Sequence, residues 1–304
     1  MAIQRSTIPS LLTEDQKKIF GDAYEQYPKA YKEFFDAETS DSEVELYREV
    51  GGLGLHVTKP EGSNITLDVP NEGPQTIIEN IAYALGYRIT HEMIADGKYK
   101  KALNNALDLG VSAGQTEETI AVNRLNTAFS TAAADLLANG QALCSTAQPL
   151  SGSGDTVQNR PTTGASLSEA ALITDMNNIA SLKDPRGKKI MVKGEMLIVP
   201  QAKDVQAQKL IHQELQVGSA QNDMNPFGRS RGRLPKGYVV SQFITNNNYY
   251  FIRTSVRGLV FQSREKARIM EDLLQRSMQK EVVSYMRFGV GCYDFRSIYG
   301  NPGS

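Results

Sequence analysis

The residues able to do chemistry in this chain are few, and none stands at a productive spacing. Three histidines occur in 304 residues. His91-Glu92 lacks the second histidine that would complete an HExxH zinc site, so a surface or capping role is expected for it. His56 and His212 have no partner that the sequence identifies. Cys144 could serve as a nucleophile only beside a distant histidine; a small apolar residue where a helix passes into a loop is the reading preferred for it. Cys292 is far away and has no Cys or His at ligand spacing, so neither a disulfide framework nor a zinc site is expected. Ser151-Gly152-Ser153-Gly154 is glycine-rich, yet no GK[ST] follows to hold a phosphate. Arg229, Arg231, Arg233 and Lys236 form the one basic cluster. Aromatic interleaving there is thin (Phe227, Tyr238), which favours an exposed loop paired with acidic groups of a neighbour over a nucleic-acid contact. No catalytic constellation, cofactor site or metal site emerges, and no enzymatic role is expected.

Composition narrows the classes further. Hydrophobic residues make up 40% and charged residues 22%, as in a chain that folds, and 33 basic against 34 acidic residues leave a net charge of −1. No global attraction to nucleic acid or an anionic membrane follows from that balance. No signal peptide is recognisable in MAIQRSTIPSLL, and no apolar run approaches the roughly 20 residues that span a bilayer. A soluble protein made in a reducing compartment is expected.

The elements that must position these residues read unevenly. Thr13 with Gln16 has the pattern of a capping box opening a helix with Ile19, Phe20, Ala23, Tyr24 and Tyr27 on one face. After Pro28 the apolar face resumes at Ala30, Tyr31, Phe34 and Phe35, making an aromatic arm expected to dock on something. Residues 36–49 read as a solvated acidic connector. Leu55–Thr58 and Asn64–Val69 alternate in the strand manner around Lys59-Pro60-Glu61-Gly62-Ser63, predicting a long hairpin with little core of its own. From Thr90, a plausible N-cap, to Phe129 the spacing predicts a helix of forty residues, about 60 Å long. Gly110 and Gly114 either admit a second backbone or mark a bend. A loop at 145–166 leads to a helix at Ser166–Leu182, a short strand at 196–199 and a helix at Lys203–Leu215. A second long loop covers 218–237. Val239–Ile244 and Tyr249–Thr254 read as a hairpin around the three asparagines. From Gly258 to Arg287 the pattern favours strands, with a helix over 264–279 as the alternative.

Six ordered segments carry a resemblance: YRITHEMIADGKY (87–99), ETIAVNRLNTAFS (118–130), ALCSTAQPLSGSGDTVQNRP (142–161), LIVP (197–200), QNDMNPF (221–227) and MRFGVGCYDFRSIYGN (286–301). Together they resemble the major capsid proteins of tailed bacteriophages with the Hong Kong 97-type fold, particularly the Mu-like major head subunits. The family's histidine after CST is Gln148 here, so no role rests on that position.

The resemblance implies an α+β fold with an N-terminal arm (1–45), an extended E-loop hairpin (46–88), a peripheral domain (89–130 with 255–304) holding a long spine helix and long strands, and an axial domain (131–254). It implies subunits that form hexamers and pentamers of an icosahedral shell around double-stranded DNA, without sequence-specific binding. The virion capsid, assembled in the host bacterial cytoplasm, is the implied location. Phe20, Tyr24, Tyr27, Tyr31, Lys59 and Glu61 are then expected at contacts between subunits, and Arg229, Arg231 and Arg233 at the capsomer centre. No long segment precedes the arm, so scaffolding is expected from a separate protein, with a portal and a decoration protein as further partners. Lys59 sits where some relatives place a crosslinking lysine. No matching asparagine–glutamate pair can be assigned, so no covalent crosslink is expected. An encapsulin-like nanocompartment is the alternative.

Overall fold

A computed structural model of the chain describes residues 8–90, 92, 93, 96, 99–213, 225–228, 233–274 and 279–304. The framework is the long helix α3 (Tyr99–Asn126) laid across a four-stranded sheet of order β1-β10-β11-β4. Strands β10 (Leu259–Leu274) and β11 (Gln279–Cys292) form a long antiparallel ribbon. On β11 the alternate residues Val282, Ser284, Met286 and Phe288 point inward and are buried, the two-residue period expected of a half-covered strand. β4 (Ile81–Thr90) pairs antiparallel with β11, and β1 (Asp36–Thr39) pairs parallel with β10 on the far side.

A second sheet, of order β12-β9-β7-β8, is built on β7 (Gly194–Pro200). β9 (Tyr250–Thr254) lies antiparallel to it and β8 (Tyr238–Ser241) parallel, while β12 (Ile298–Asn301) closes the outer edge. The strands read as nearly continuous apolar runs because both faces are covered. Met196, Ile198, Phe251 and Ile298 face the core shared with Leu125, Leu143 and Phe295. The alternate residues Leu197, Val199, Tyr250, Ile252 and Tyr299 pack with Leu172 and Ile179 of α4 (Glu169–Ala180) and with Ala207 and Ile211 of α5 (Asp204–His212). Burying each of these larger side chains contributes about 1.5–3 kcal/mol.

The arm lies on the long helix. α1 (Ile8–Gln26) packs along α3, and the one-turn helix α2 (Tyr31–Phe34) seats Tyr31 and Phe34 in the core. A Cβ on Gly110 would stand 2.6 Å from the Phe20 carbonyl oxygen, and one on Gly114 would stand 2.8 Å from the Tyr27 Cβ. The two glycines therefore admit a second backbone; they do not mark a bend. Gly110→Val should cost about 1–3 kcal/mol by overpacking, read as a lower denaturation midpoint with the arm amides losing protection first.

Several sequence expectations are corrected. The long helix begins at Tyr99, not Thr90, and its 28 residues span about 42 Å. Thr90 ends β4, whose backbone is taken up by the ladder to β11; its hydroxyl still accepts the Met93 N–H at 3.3 Å. Residues 36–49 are not a connector: β1 and the start of β2 (Val44–Gly51) lie within them. α1 starts at Ile8, which leaves Thr13 inside the helix, where its hydroxyl accepts from Lys280 Nζ at 2.6 Å. Ser168, not Ser166, caps α4 by accepting the Ala171 N–H. The expected hairpin around the three asparagines does not form, because β8 and β9 each pair with β7 and not with one another. Of the two readings for 264–279, strand holds through Leu274.

Candidate functional site

The groups with chemical potential are inert or isolated. Cys144 is fully buried, and burial pushes its thiol well above the ordinary range. Cys292 is buried too, its thiol pushed up to about 11 by burial, with its Sγ donating to the Asp294 carbonyl at 3.3 Å. Neither is in a disulfide. Both thiols should resist a thiol reagent in the native chain and react only after denaturation, which a colorimetric titration would read. Ser153 is an exposed turn residue whose hydroxyl accepts the Asp155 N–H. His56 is exposed on the hairpin, and His212 is exposed with its ring 5.5 Å from that of Tyr238. His91 lies outside the described residues. Among the described residues no group of three or more His, Cys, Asp or Glu could hold a metal ion. No described helix is long and apolar enough to cross a membrane.

The chain's distinctive surface is the hairpin. β2 (Val44–Gly51) and β3 (Asn71–Glu79) pair antiparallel, with Leu46 opposite Ile77. This ladder lies closer to the body than the sequence predicts. The expected strands at 55–58 and 64–69 do not form: these segments carry no ladder and no regular secondary structure. Their apolar side chains are uncovered: Leu55 is 79% exposed, Val57 71%, Ile65 74% and Leu67 91%. Leu53, on the same segment as Leu55 and Val57, is 55% exposed, and Val69, on the same segment as Ile65 and Leu67, is 75% exposed. Lys59 and Glu61 stand exposed at the tip, around a turn closed by the Ser63 N–H donating to the Pro60 carbonyl at 3.2 Å. Gly62 there adopts φ +79°, a conformation costly for other residues.

The base of the hairpin is fixed by charge. Glu49 accepts from the Arg296 guanidinium and, at 3.0 Å, from the Ser151 hydroxyl. The Tyr47 ring stacks on Tyr293 with centroids 4.5 Å apart, and its hydroxyl donates to Glu38 at 2.6 Å. Further out, Arg186 grips Asp68 through both carboxylate oxygens, and Lys188 donates to the Leu53 carbonyl. The hydrogen bond from the Arg186 guanidinium holds the Asp68 carboxyl well below the usual range. The hairpin is thus anchored at its root and bare at its end.

The arm aromatics are placed differently from expectation. Phe20 and Tyr31 are buried within their own chain, and the Tyr31 ring lies 4.5 Å from that of Phe261. The Tyr24 hydroxyl donates to Glu117 Oε1 at 2.5 Å, and the Tyr27 ring covers Gly114. Gly110 thus receives the arm backbone at Phe20–Tyr24 and Gly114 the Tyr27 ring, so the arm docks on its own long helix. Of the basic cluster, Arg229 and Arg231 lie outside the described residues. Arg233 is exposed, its guanidinium carbon 5.9 Å from the Phe227 ring centroid.

Sequence reasoning missed three buried polar hubs. Arg253 donates to the carbonyls of Phe34, Val256 and Ser297 and to Asp36. Arg296 ties Glu49 to Asp294. Asp175 accepts from the Tyr250 hydroxyl at 2.9 Å and from Asn301 at 3.2 Å, and burial raises its carboxyl. A lone arginine inside the apolar run YFIRT was a readable signal for the first hub.

The geometry is thus a folded body carrying one hairpin, anchored at its root and uncovered at its end. The profile of the phage capsid protein family matches residues 75–301, well over half of the chain. The chain belongs to that family. No curated protein matches its sequence. Solved structures match its fold. A virus-like particle from Pyrococcus furiosus superposes with a TM-score of 0.55 at 12% identity, over 95% of this chain and 98% of that one. A structure from Microbacterium phage Oxtober96 gives 0.54 at 10% identity, over 90% of each chain. The procapsid of bacteriophage JBD30 gives 0.52 at 13% identity, over 98% of this chain and 76% of that one. The shared fold is the α+β Hong Kong 97-type capsid fold, and the protein is a capsid protein.

Proposed function

We propose that the chain is the major head protein of a tailed bacteriophage, whose copies associate as hexamers and pentamers into an icosahedral shell around double-stranded DNA. The observation carrying this reading is the hairpin end, where six apolar side chains are at least 55% exposed. Patches of that kind mark interaction surfaces, and a second copy of the chain is the cover that a closed shell supplies. Many such contacts, each modest, add up through multivalency.

In this reading residues 1–45 are the arm, 46–88 the E-loop, 89–130 with 255–304 the peripheral domain and 131–254 the axial domain. β4 belongs to the sheet, so the reaching part of the hairpin ends near Glu79. Arg233, with Arg229 and Arg231, belongs to the loop near the capsomer centre. Lys59 and Glu61 make contacts between subunits at the hairpin tip without a covalent bond. Scaffolding, portal and decoration proteins are the further partners, and assembly takes place in the host bacterial cytoplasm. A net charge of −1 suits a wall that contains DNA without gripping it. Particles purified from producing cells test the contents: nuclease-protected double-stranded DNA supports the reading, and a packaged enzyme in its place favours an encapsulin-like compartment.

A further inference from the structure

The seam between the arm and the long helix holds an unbalanced set of charges. Glu117 and Glu118, adjacent on α3, are only 4% and 1% exposed. Glu117 is fully provided for: it accepts from the Tyr24 hydroxyl at 2.5 Å, from Lys29 Nζ at 2.8 Å and from the Tyr31 hydroxyl at 3.1 Å. Glu118 is not. Its Oε2 accepts the Tyr31 backbone N–H at 3.2 Å and the Ala30 N–H also faces the carboxylate, while Oε1 is buried with no hydrogen-bond partner. A single ammonium, that of Lys29, thus faces two carboxylates. Burying a second negative charge without a cation is costly unless it is neutralised.

We propose that the arm is held on the long helix by a proton-linked latch centred on Glu118, tighter when this carboxyl is protonated and looser when it is ionised. The groups facing it are Tyr27, Lys29 and Tyr31 from the arm and Glu117 from its own helix; Tyr24 bonds Glu117, and Lys32 stands near Lys29. Desolvation raises the Glu118 carboxyl above its ordinary value; the Tyr31 and Ala30 N–H groups and the Lys29 charge offset part of the rise, and the Glu117 charge adds to it. Tyr24 and Tyr31 are pushed up by burial, so both remain neutral donors.

The direction follows from linkage. When the arm lifts away, Glu118 meets water and returns to an ordinary carboxylate value. The docked state therefore binds more protons in the interval between the two values. Docking gains as pH falls through the raised value, and the gain is complete below the ordinary one. Lys29, lowered by desolvation, works in the opposite sense at alkaline pH, so the readout belongs between mildly acidic and neutral pH. The consequence is that the share of arms free to reach a neighbouring copy rises with pH. The latch lies within one chain, so its test stands apart from whether shells form.

Hydrogen exchange of the arm amides in the full chain tests it, expressed as protection factors so that the chemical exchange rate divides out. Between about pH 5 and about pH 7.5 the protection of residues 13–34 should fall about fivefold or more. In Glu118→Gln it should stay at the acidic wild-type level across the range. In Lys29→Gln the fall should move to higher pH, because the carboxylate pair then lacks its cation. A pH-independent wild-type arm, an unaltered pH profile in Glu118→Gln, or an unshifted one in Lys29→Gln would overturn the latch.

Discussion

A subunit carrying Leu55→Asp together with Leu67→Asp should fold like the parent and fail to enter closed particles. The two side chains are 79% and 91% exposed, so the isolated chain loses almost no burial when they change. Exposed substitutions of this kind move stability by roughly 0.5 kcal/mol or less. Covered by a neighbouring copy, each carboxylate would have to leave water without a partner, and that costs several kcal/mol per site. Because each subunit meets its neighbours through the same contacts, the penalty repeats around the particle. Circular dichroism melting would show the parent's fold, and sedimentation would show small species in place of particles. Particles of normal size and yield would remove the hairpin from the assembly contacts.

Replacing Arg253 by Met should lower stability by about 3–5 kcal/mol, the range for breaking a buried ion pair by removal of one partner. Arg253 is 6% exposed and joins parts of the chain remote in sequence. Its Nε donates to the Phe34 carbonyl at 3.0 Å, Nη1 to the Ser297 carbonyl at 2.6 Å, and Nη2 to Asp36 at 2.7 Å. The guanidinium thus holds the end of the arm, the start of β1 and the approach to β12 together on β9. Without it the Asp36 carboxylate keeps the Gly258 N–H, at 3.1 Å, as a partner, and buried carbonyls lose their donor. Arg253→Lys should rescue little, since one compact ammonium cannot reach acceptors spread around a planar fork. Urea unfolding should show a lower midpoint at unchanged slope. A midpoint within error of the parent would show that these bonds contribute little.

These two sites mark what the sequence could and could not disclose. The hairpin's apolar alternation was readable, since it depends on neighbours two residues apart. That its end carries no ladder, and that pairing stops at Gly51 and Asn71, was not, because alternation alone does not say where pairing begins. The ordered segments between Tyr87 and Asn301 carried the capsid fold, and the β10–β11 ribbon followed from period-two alternation. β1 was misread as a connector because Asp36–Thr39 is acidic and becomes a strand only through pairing with Val260–Ser263, more than two hundred residues away. The same cause turned Val239–Ile244 and Tyr249–Thr254 into an imagined hairpin: their shared partner is β7, and nothing local encodes that. The arm aromatics were readable as an apolar face, but not their receptors: Gly114 for the Tyr27 ring and Phe261 for Tyr31. Arg253 was readable, as a charge inside an otherwise apolar strand, and was passed over because its acceptors are backbone carbonyls with no sequence signature.

The central claim is that this chain is a shell subunit whose hairpin is covered by another copy of itself. Electron microscopy of this chain, produced alone and together with the proposed scaffolding and portal proteins, tests that claim most directly. The account predicts closed particles of icosahedral symmetry with density for a neighbouring copy over residues 53–69. A protein that stays monomeric at high concentration with those partners supplied would contradict it.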